Sequence, residues 1–146
     1  MASLKQLKLE QKTAAQQQQV VVELNAIVKD IERSEKAIVA LNHDLQAINK
    51  KFQGPRSTRD DVDYLAGLLD CAKRKLAWEK QMGSLQKRTP VLMERMSAIL
   101  HDPKAPPSAE VREQMLHALQ AIQAAMERLQ AANSTGGTDA EATGQG

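Results

Sequence analysis

Residues 20–52 read VVVELNAIVKDIERSEKAIVALNHDLQAINKKF, and the apolar side chains in this stretch recur every seven residues. Alternating spacings of three and four place them on one narrow helical face, which is typical of a coiled coil. Ser34 is the one polar interruption. A stripe this narrow is buried only against another helix. The helix-packing seam is predicted to comprise Leu24, Ile27, Ile31, Ile38, Leu41, Leu45, Ile48 and Phe52.

The composition agrees with long helices and limits the function. Only Phe52, Tyr64 and Trp78 are aromatic among 146 residues, which is few for a thick globular core. The net charge is +2, from 20 basic and 18 acidic residues, and this balance argues against nucleic acid or an anionic membrane as the bulk partner. The single cysteine, Cys71, excludes an intramolecular disulfide.

The sequence has no apolar stretch that approaches the ~20 residues needed to cross a bilayer. Its first residues are charged and Gln-rich, without the apolar core of a secretory signal. We therefore predict no membrane span and a cytoplasmic location, with an association with the cytoskeleton as the finer prediction. A nuclear location is the alternative.

A second helix is predicted to fold back on the first. Gly54 and Pro55 end the first helix near Phe52, and Ser57 or Thr58 caps the next. The second helix carries an apolar face formed by Val62, Leu65, Leu69, Ala72 and Leu76. An antiparallel hairpin that folds at Gly54 and Pro55 predicts opposite positions for Ile48 and Val62, Leu45 and Leu65, Leu41 and Leu69, and Ile38 and Ala72. The same register predicts ion pairs of Lys75 with Glu35, Lys80 with Asp30, and Lys87 with Glu23.

Beyond Leu76 the apolar face slips by one residue, which predicts a change of packing neighbours. The shifted face comprises Trp78, Met82, Leu85, Leu92, Met96 and Ile99. Pro90 predicts a kink or a short break in this helix. Asp102 and Pro103 end it, and Ser108 caps a third helix over residues 109–132.

The third helix has a heptad of its own and is predicted to pack at the base of the hairpin. Its apolar face comprises Met115, Leu119, Ile122, Met126 and Leu129. The fold class is therefore all-α, a long antiparallel coiled-coil hairpin with a third, C-terminal helix packing at its base. We divide the chain into a polar, partly helical arm over residues 1–19, the helical body over 20–132, and a disordered tail over 133–146.

The candidates for partner binding are basic residues and one tryptophan. Lys73, Lys80 and Lys87 recur every seven residues on one side of the second helix and, with Arg88, could meet phosphates or an acidic protein surface. The competing interpretation is that they form ion pairs within the hairpin. Arg56 and Arg59 form a second basic cluster near the turn. Trp78 is interpreted either as core filler where the stripe changes phase or as an interface anchor.

The sequence contains no arrangement of residues typical of catalysis. His43, His101 and His117 lie apart from one another, and Asp60, Asp61 and Asp63 are explained by helix-start electrostatics. We predict no enzyme activity, no cofactor and no metal. A heptad is too general to indicate a family.

The predicted function is that of a non-enzymatic coiled-coil subunit or adaptor of a cytoskeletal, ciliary, trafficking or chromosome-associated assembly. Its predicted partners are proteins bound through helices. Two alternatives are a self-assembling coiled-coil scaffold, in which the partner is a second copy, and a helical protein that binds nucleic acid through the basic face of the second helix.

Overall fold

The computed structural model describes residues 3–145, with side-chain surroundings for residues 3–134. It consists of three α-helices, α1 (Leu4–Lys51), α2 (Thr58–Leu100) and α3 (Ala109–Gln145), and the described residues contain no strand. The predicted all-α fold is therefore confirmed. From residue 135 onward, the tail predicted over residues 133–146 lies outside the residues whose side chains are described. The division into arm, body and tail stays a prediction.

Each helix begins at a serine whose side chain accepts a hydrogen bond from the backbone of the first turn. Ser3 Oγ accepts from Gln6 N–H at 3.1 Å, and Ser108 Oγ accepts from Val111 N–H at 3.2 Å. Ser57 and Asp60 cap α2 reciprocally, since each side chain accepts the other residue's N–H. These contacts satisfy backbone donors that have no partner within the helix, so they fix where each helix starts.

The turn between α1 and α2 depends on a glycine. Gly54 has a φ of 86°, in the left-handed region that glycine adopts without a steric penalty from a Cβ atom. It follows the last residues of α1, where Phe52 N–H still bonds to the carbonyl of Ile48. The sequence signal at Gly54 and Pro55 therefore marks the end of the first helix correctly.

The chain forms two compact units, and all three helices contribute to both. Unit 1 comprises the residues up to Ile31 together with Leu85–Met126. Its buried side chains come from α1, α2 and α3, at the spacings of a coiled coil, and include Val20, Leu24, Ile27, Ile31, Leu85, Leu92, Met96, Met115, Ala118, Ile122 and Ala125. Gln17 extends the α1 stripe by one position and donates from Nε2 to the carbonyl of Ala105 at 3.2 Å.

Unit 2 comprises Glu32–Ser84 and the residues from Glu127 onward. Ser34, Ile38 and Leu41 of α1 are buried in it, as are Cys71 and Leu129. Near the turn, Tyr64 packs edge-on against Phe52, with ring centroids 5.6 Å apart, and its hydroxyl donates to Asn49 Oδ1 at 2.8 Å. The pairing of α1 with α2 is antiparallel.

The predicted register between α1 and α2 is wrong. Asp30 pairs with Arg88 instead of Lys80, and Glu23 pairs with Arg95 instead of Lys87. Each basic partner in these two pairs lies eight residues farther along α2 than expected. Eight residues are two helical turns and about 80° more, so each observed partner lies on a different side of α2 from the predicted one, as expected where a different face of α2 meets α1. Both registers pair acidic with basic residues, so charge matching alone does not distinguish them.

Glu35 also has a different partner. It pairs with Arg128 of α3 instead of Lys75. The third helix thus supplies a charge that the predicted hairpin assigned to α2.

The predicted apolar face of α2 is also wrong over its first half. Val62, Leu65, Leu69 and Leu76 are exposed, whereas Tyr64, Gly67, Leu68, Cys71 and Trp78 are buried or half-buried. This inward stripe continues in phase to Leu85, Leu92, Met96 and Ile99, so the predicted slip of the face near Leu76 does not occur. Tyr64 and Cys71 extend the Trp78 stripe toward the turn at intervals of seven residues, although the exposed leucines are the more apolar residues.

The predicted break at Pro90 does not occur, since α2 is continuous from Thr58 to Leu100 with Pro90 inside it. Proline removes one backbone donor, which leaves the carbonyl of Gln86 without its usual helical partner. Both residues are on exposed positions of α2. Solvent can therefore replace the missing hydrogen bond, and packing on the inward face of α2 holds the helix together.

Two glycines inside α2 give a matched stability prediction. A Cβ at Gly83 meets no atom within 4 Å, whereas a Cβ at Gly67 would lie 3.1 Å from Ile48 Cδ1. We expect Gly83→Ala to stabilise the protein by about 1 kcal/mol through helix propensity. Gly67→Ala should stabilise it less, because Ile48 must move. Urea unfolding followed by circular dichroism measures both, and a larger gain for Gly67→Ala would contradict the close approach of Ile48.

Candidate partner-binding surface

The first half of α2 presents an apolar stripe to solvent. Its members recur at intervals of three, four and seven residues, and we call them the outer stripe: Val62, Leu65, Leu69 and Leu76. They are 58%, 63%, 56% and 55% exposed. Ala72, also exposed, fills the remaining position of the repeat. The outer stripe is thus a second coiled-coil seam, about 21 Å long at the rise of an α-helix.

The outer stripe lies on the side of α2 away from α1. The side of α2 that faces α1 carries Tyr64, Cys71 and Trp78 at intervals of seven residues. Two residues before each of them lies a member of the outer stripe, Val62, Leu69 or Leu76. Two residues correspond to a rotation of about 200° around a helix, which places the outer stripe opposite the inward one. This half of α2 therefore has two apolar faces, and the described residues of the chain cover only one.

Lysines flank the outer stripe along one edge. At about 100° per residue, Lys73 and Lys80 lie beside Leu69 and Leu76 on the same side. Both lysines are exposed, and none of the ion pairs formed within residues 3–134 includes either of them. The opposite edge has mixed charge, with Lys75 and Glu79. Lys73 and Lys80 of the predicted basic stripe thus border the apolar face instead of the α1 interface.

The two arginines near the turn engage neighbouring side chains of unit 2. Arg56 pairs with Asp61 at 3.2 Å and lies over the ring of Tyr64, 4.6 Å from its centroid. Arg59 approaches Asp63 one turn away at 3.9 Å. These contacts hold Arg56 against the start of α2, whereas Arg59, with a side chain 88% exposed, is matched only weakly by Asp63.

Trp78 packs over the serine that interrupts the seam. Its indole Nε1–H donates to the carbonyl of Ser34 at 2.9 Å, and the Ser34 side chain is 2% exposed. The two residues line a groove of about 390 Å³ with Leu41, Arg74 and Ala77. The half-buried indole lies beside the small serine with one side open to the groove, so the structure places Trp78 between the two interpretations offered by the sequence.

Lys87 and Arg88 belong to unit 1. Arg88 pairs with Asp30 at 3.0 Å, while Lys87 is exposed. Both line a groove of about 320 Å³ between α1 and α2, together with Glu23, Val91 and Arg95. Arg95, which was not among the predicted partner-binding residues, pairs with Glu23 at 2.7 Å.

The helix-packing seam of α1 runs from buried residues to half-buried ones toward the turn. Leu24, Ile27, Ile31, Ile38 and Leu41 are buried, and Leu45, Ile48 and Phe52 are half-buried. Sequence reasoning located these residues but missed the outer stripe as a surface. The available signal was that residues 62–78 carry two apolar series, of which α1 can cover only one.

The pKa of Asp44 is lowered, chiefly by a hydrogen bond from Arg74, whose Nη1 lies 2.8 Å from Asp44 Oδ2. We expect Arg74→Gln to raise the pKa of Asp44 toward its ordinary value, measured by NMR titration of the carboxyl carbon. A lowered pKa in the folded protein means that this pair contributes stability above the unfolded pKa and loses it as pH falls through the folded one. Glu32→Gln is the control, and an unchanged Asp44 pKa in Arg74→Gln would contradict the pairing.

Comparison with known protein families, characterised proteins and solved structures finds no match for this chain. Among the described residues, no three or more His, Cys, Asp or Glu side chains are grouped so as to hold a metal ion. Over that same part of the chain, none of the helices has an apolar run long enough to cross a membrane.

Proposed function

We propose that this protein is a non-enzymatic coiled-coil subunit or adaptor of a multiprotein assembly and that it acts through helix-helix contacts. The observation that carries the proposal is the outer stripe. Apolar residues at heptad spacing are normally buried against a helix, and a contiguous apolar face in solvent is typical of an interaction site. The stripe lies opposite the α1 interface, so a partner can bind it while the hairpin stays intact.

The grooves along the hairpin support assembly over catalysis. The groove beside Trp78 and the groove beside Arg95 are lined by packing residues and by side chains in ion pairs, an arrangement that stabilises helices. The assemblies we propose are cytoskeletal, ciliary, trafficking or chromosome-associated, because long helices with exposed lateral seams suit them. A cytoplasmic location, with cytoskeletal association, is part of the proposal, and a nuclear location is its alternative.

The experiment compares partner recovery by three tagged forms of the full chain from its native cells, with and without nuclease. The forms are the wild type, Leu65→Gln/Leu69→Gln in the outer stripe, and the control Val22→Gln/Leu116→Gln, which changes two exposed apolar residues elsewhere. We expect stoichiometric, nuclease-resistant partners with the wild type and control. The stripe variant should lose at least about 90% of them, since the two leucines occupy core positions of the seam that a partner helix would bury.

Two results would contradict the proposal. Equal recovery with the stripe variant would show that the outer stripe does not bind the partners. Recovery of the protein alone would favour the scaffold alternative, which sedimentation at several concentrations tests, because self-association depends on concentration.

Nucleic-acid binding is the second candidate, favoured by the exposure of Lys73, Lys80 and Lys87. It predicts partners that are lost on nuclease treatment and binding that weakens steeply with salt.

A further inference from the structure

The outer stripe and its basic edge together specify the kind of helix that fits α2. We infer that the partner segment is an amphipathic helix of another protein, with apolar residues at three-and-four spacing and carboxylates every seven residues along one edge. This inference rests on the proposed function and adds the chemistry of the partner. The outer stripe and its basic edge, from Val62 to Lys80, lie entirely within unit 2.

The apolar part of the surface sets the length of the partner. The outer stripe extends over about four helical turns, from Val62 to Leu76, or about 21 Å. A helix that covers it needs a matching stripe over about 15 residues, with knobs that enter the spaces between Leu65, Leu69 and Leu76. An extended peptide or a nucleic acid would leave most of this apolar surface uncovered.

The lysines on the basic edge set the sign of the charge that the partner helix needs along its own edge. Lys73 and Lys80 stand seven residues apart and are exposed. They differ from the arginines of the same half of α2, since Arg59 approaches Asp63 and Arg74 pairs with Asp44. Carboxylates at the same seven-residue interval on a partner helix would meet both lysines, as flanking charges do in coiled coils.

A second copy of this chain fits the same surface poorly. In an antiparallel pair of identical stripes, each edge meets its own counterpart, which would set Lys73, Lys80 and Arg59 against one another. In a parallel pair the basic edge would meet the mixed edge that contains both Lys75 and Glu79. Like charges disfavour the antiparallel pair and the mixed edge matches the lysines only in part, so the charge pattern favours a different chain with an acidic edge.

The test uses two dye-labelled synthetic 21-residue helices with identical leucine stripes. One carries glutamate and the other lysine at seven-residue intervals on one edge, with glutamine on the other edge of both. Binding to the full-length protein is measured by fluorescence anisotropy at low and physiological salt. Proteins compared are the wild type, Lys73→Glu/Lys80→Glu, the stripe variant Leu65→Gln/Leu69→Gln, and the Val22→Gln/Leu116→Gln control. Circular dichroism checks that each variant keeps its helical content.

The wild type and the control should bind the glutamate helix about ten-fold more tightly than the lysine helix, as two matched ion pairs against two repulsive ones predict. Lys73→Glu/Lys80→Glu should reverse this preference. The stripe variant should lose binding of both helices.

Three outcomes would overturn the inference. If both helices bind equally and the stripe variant binds neither, the partner does not need an acidic edge, although the proposed docking of a helix on the outer stripe still holds. No binding of either helix would reject this partner chemistry, and the recovery experiment then decides separately whether the outer stripe binds partners at all. A wild-type dimer that becomes monomeric in the stripe variant would show that the occupant is a second copy.

Discussion

Replacing Leu24 with alanine is expected to lower the free energy of unfolding by about 2–5 kcal/mol, the range for a leucine truncated in a core that cannot collapse around the cavity. Leu24 is 0% exposed and lies one turn from Val20 and Ile27, which are also buried. In coiled-coil packing each such side chain enters a hole formed by a facing helix, so its loss leaves a void. Urea unfolding monitored by circular dichroism measures the change.

Val22→Ala is the matched control for Leu24→Ala. Val22 lies two residues away on the same helix and is 52% exposed, so its truncation removes little buried surface. We expect a change within about 0.5 kcal/mol, because exposed substitutions away from special features have small effects. A similar loss for both variants would contradict the burial pattern of α1.

Trp78→Ala is expected to destabilise the protein by about 2–3 kcal/mol, below the range for a fully buried tryptophan because the indole is half-buried. The substitution removes the hydrogen bond to the carbonyl of Ser34 and uncovers the gap at that serine. Ser34→Leu should also destabilise, by about 1–3 kcal/mol, because the indole already occupies the space that the new side chain needs.

The double variant Trp78→Ala/Ser34→Leu distinguishes this complementarity from two independent effects. With the indole removed, the leucine restores the α1 heptad and fills the space, so we expect the double variant to be more stable than the sum of the single losses by at least about 1 kcal/mol. Strict additivity would show that the two residues do not share one space.

Ser34→Ala serves as the control for the double variant. The Ser34 Oγ has no hydrogen-bond partner within the described residues. Its removal should therefore leave stability unchanged or increase it.

The sequence by itself predicted the three helices and most of their ends, although it predicted a break at Pro90 and an end of the third helix at residue 132 instead of Gln145. Serine caps, Gly54 and the Asp102–Pro103 stop are local signals, and the structure begins or ends a helix at each of them. The apolar stripe of α1 was also predicted correctly, because α1 has only one apolar face to bury. Local chemistry and periodicity suffice for these features because both act within a few residues along the chain.

The sequence did not determine which face of α2 meets α1. Residues 62–78 carry two apolar series, and hydrophobicity favoured Val62, Leu65, Leu69 and Leu76, whereas the structure buries the series that contains Cys71 and Trp78. Trp78 covers Ser34, and Gly67 lets Ile48 approach, so the less apolar face complements α1 in shape. Such complementarity is a property of two surfaces together, which a pattern along one helix does not contain.

The register and the candidate surface depend on that same choice. Both predicted and observed registers pair acidic residues of α1 with basic residues of α2, so the matching of opposite charges does not select between them. Once the Tyr64, Cys71 and Trp78 face packs inward, the outer stripe must face solvent, and Lys73 and Lys80 border it. Local sequence thus determined which segments are helical, and only the packing of α1 against α2 decided which apolar face is left for a partner, because the two faces differ in fit more than in hydrophobicity.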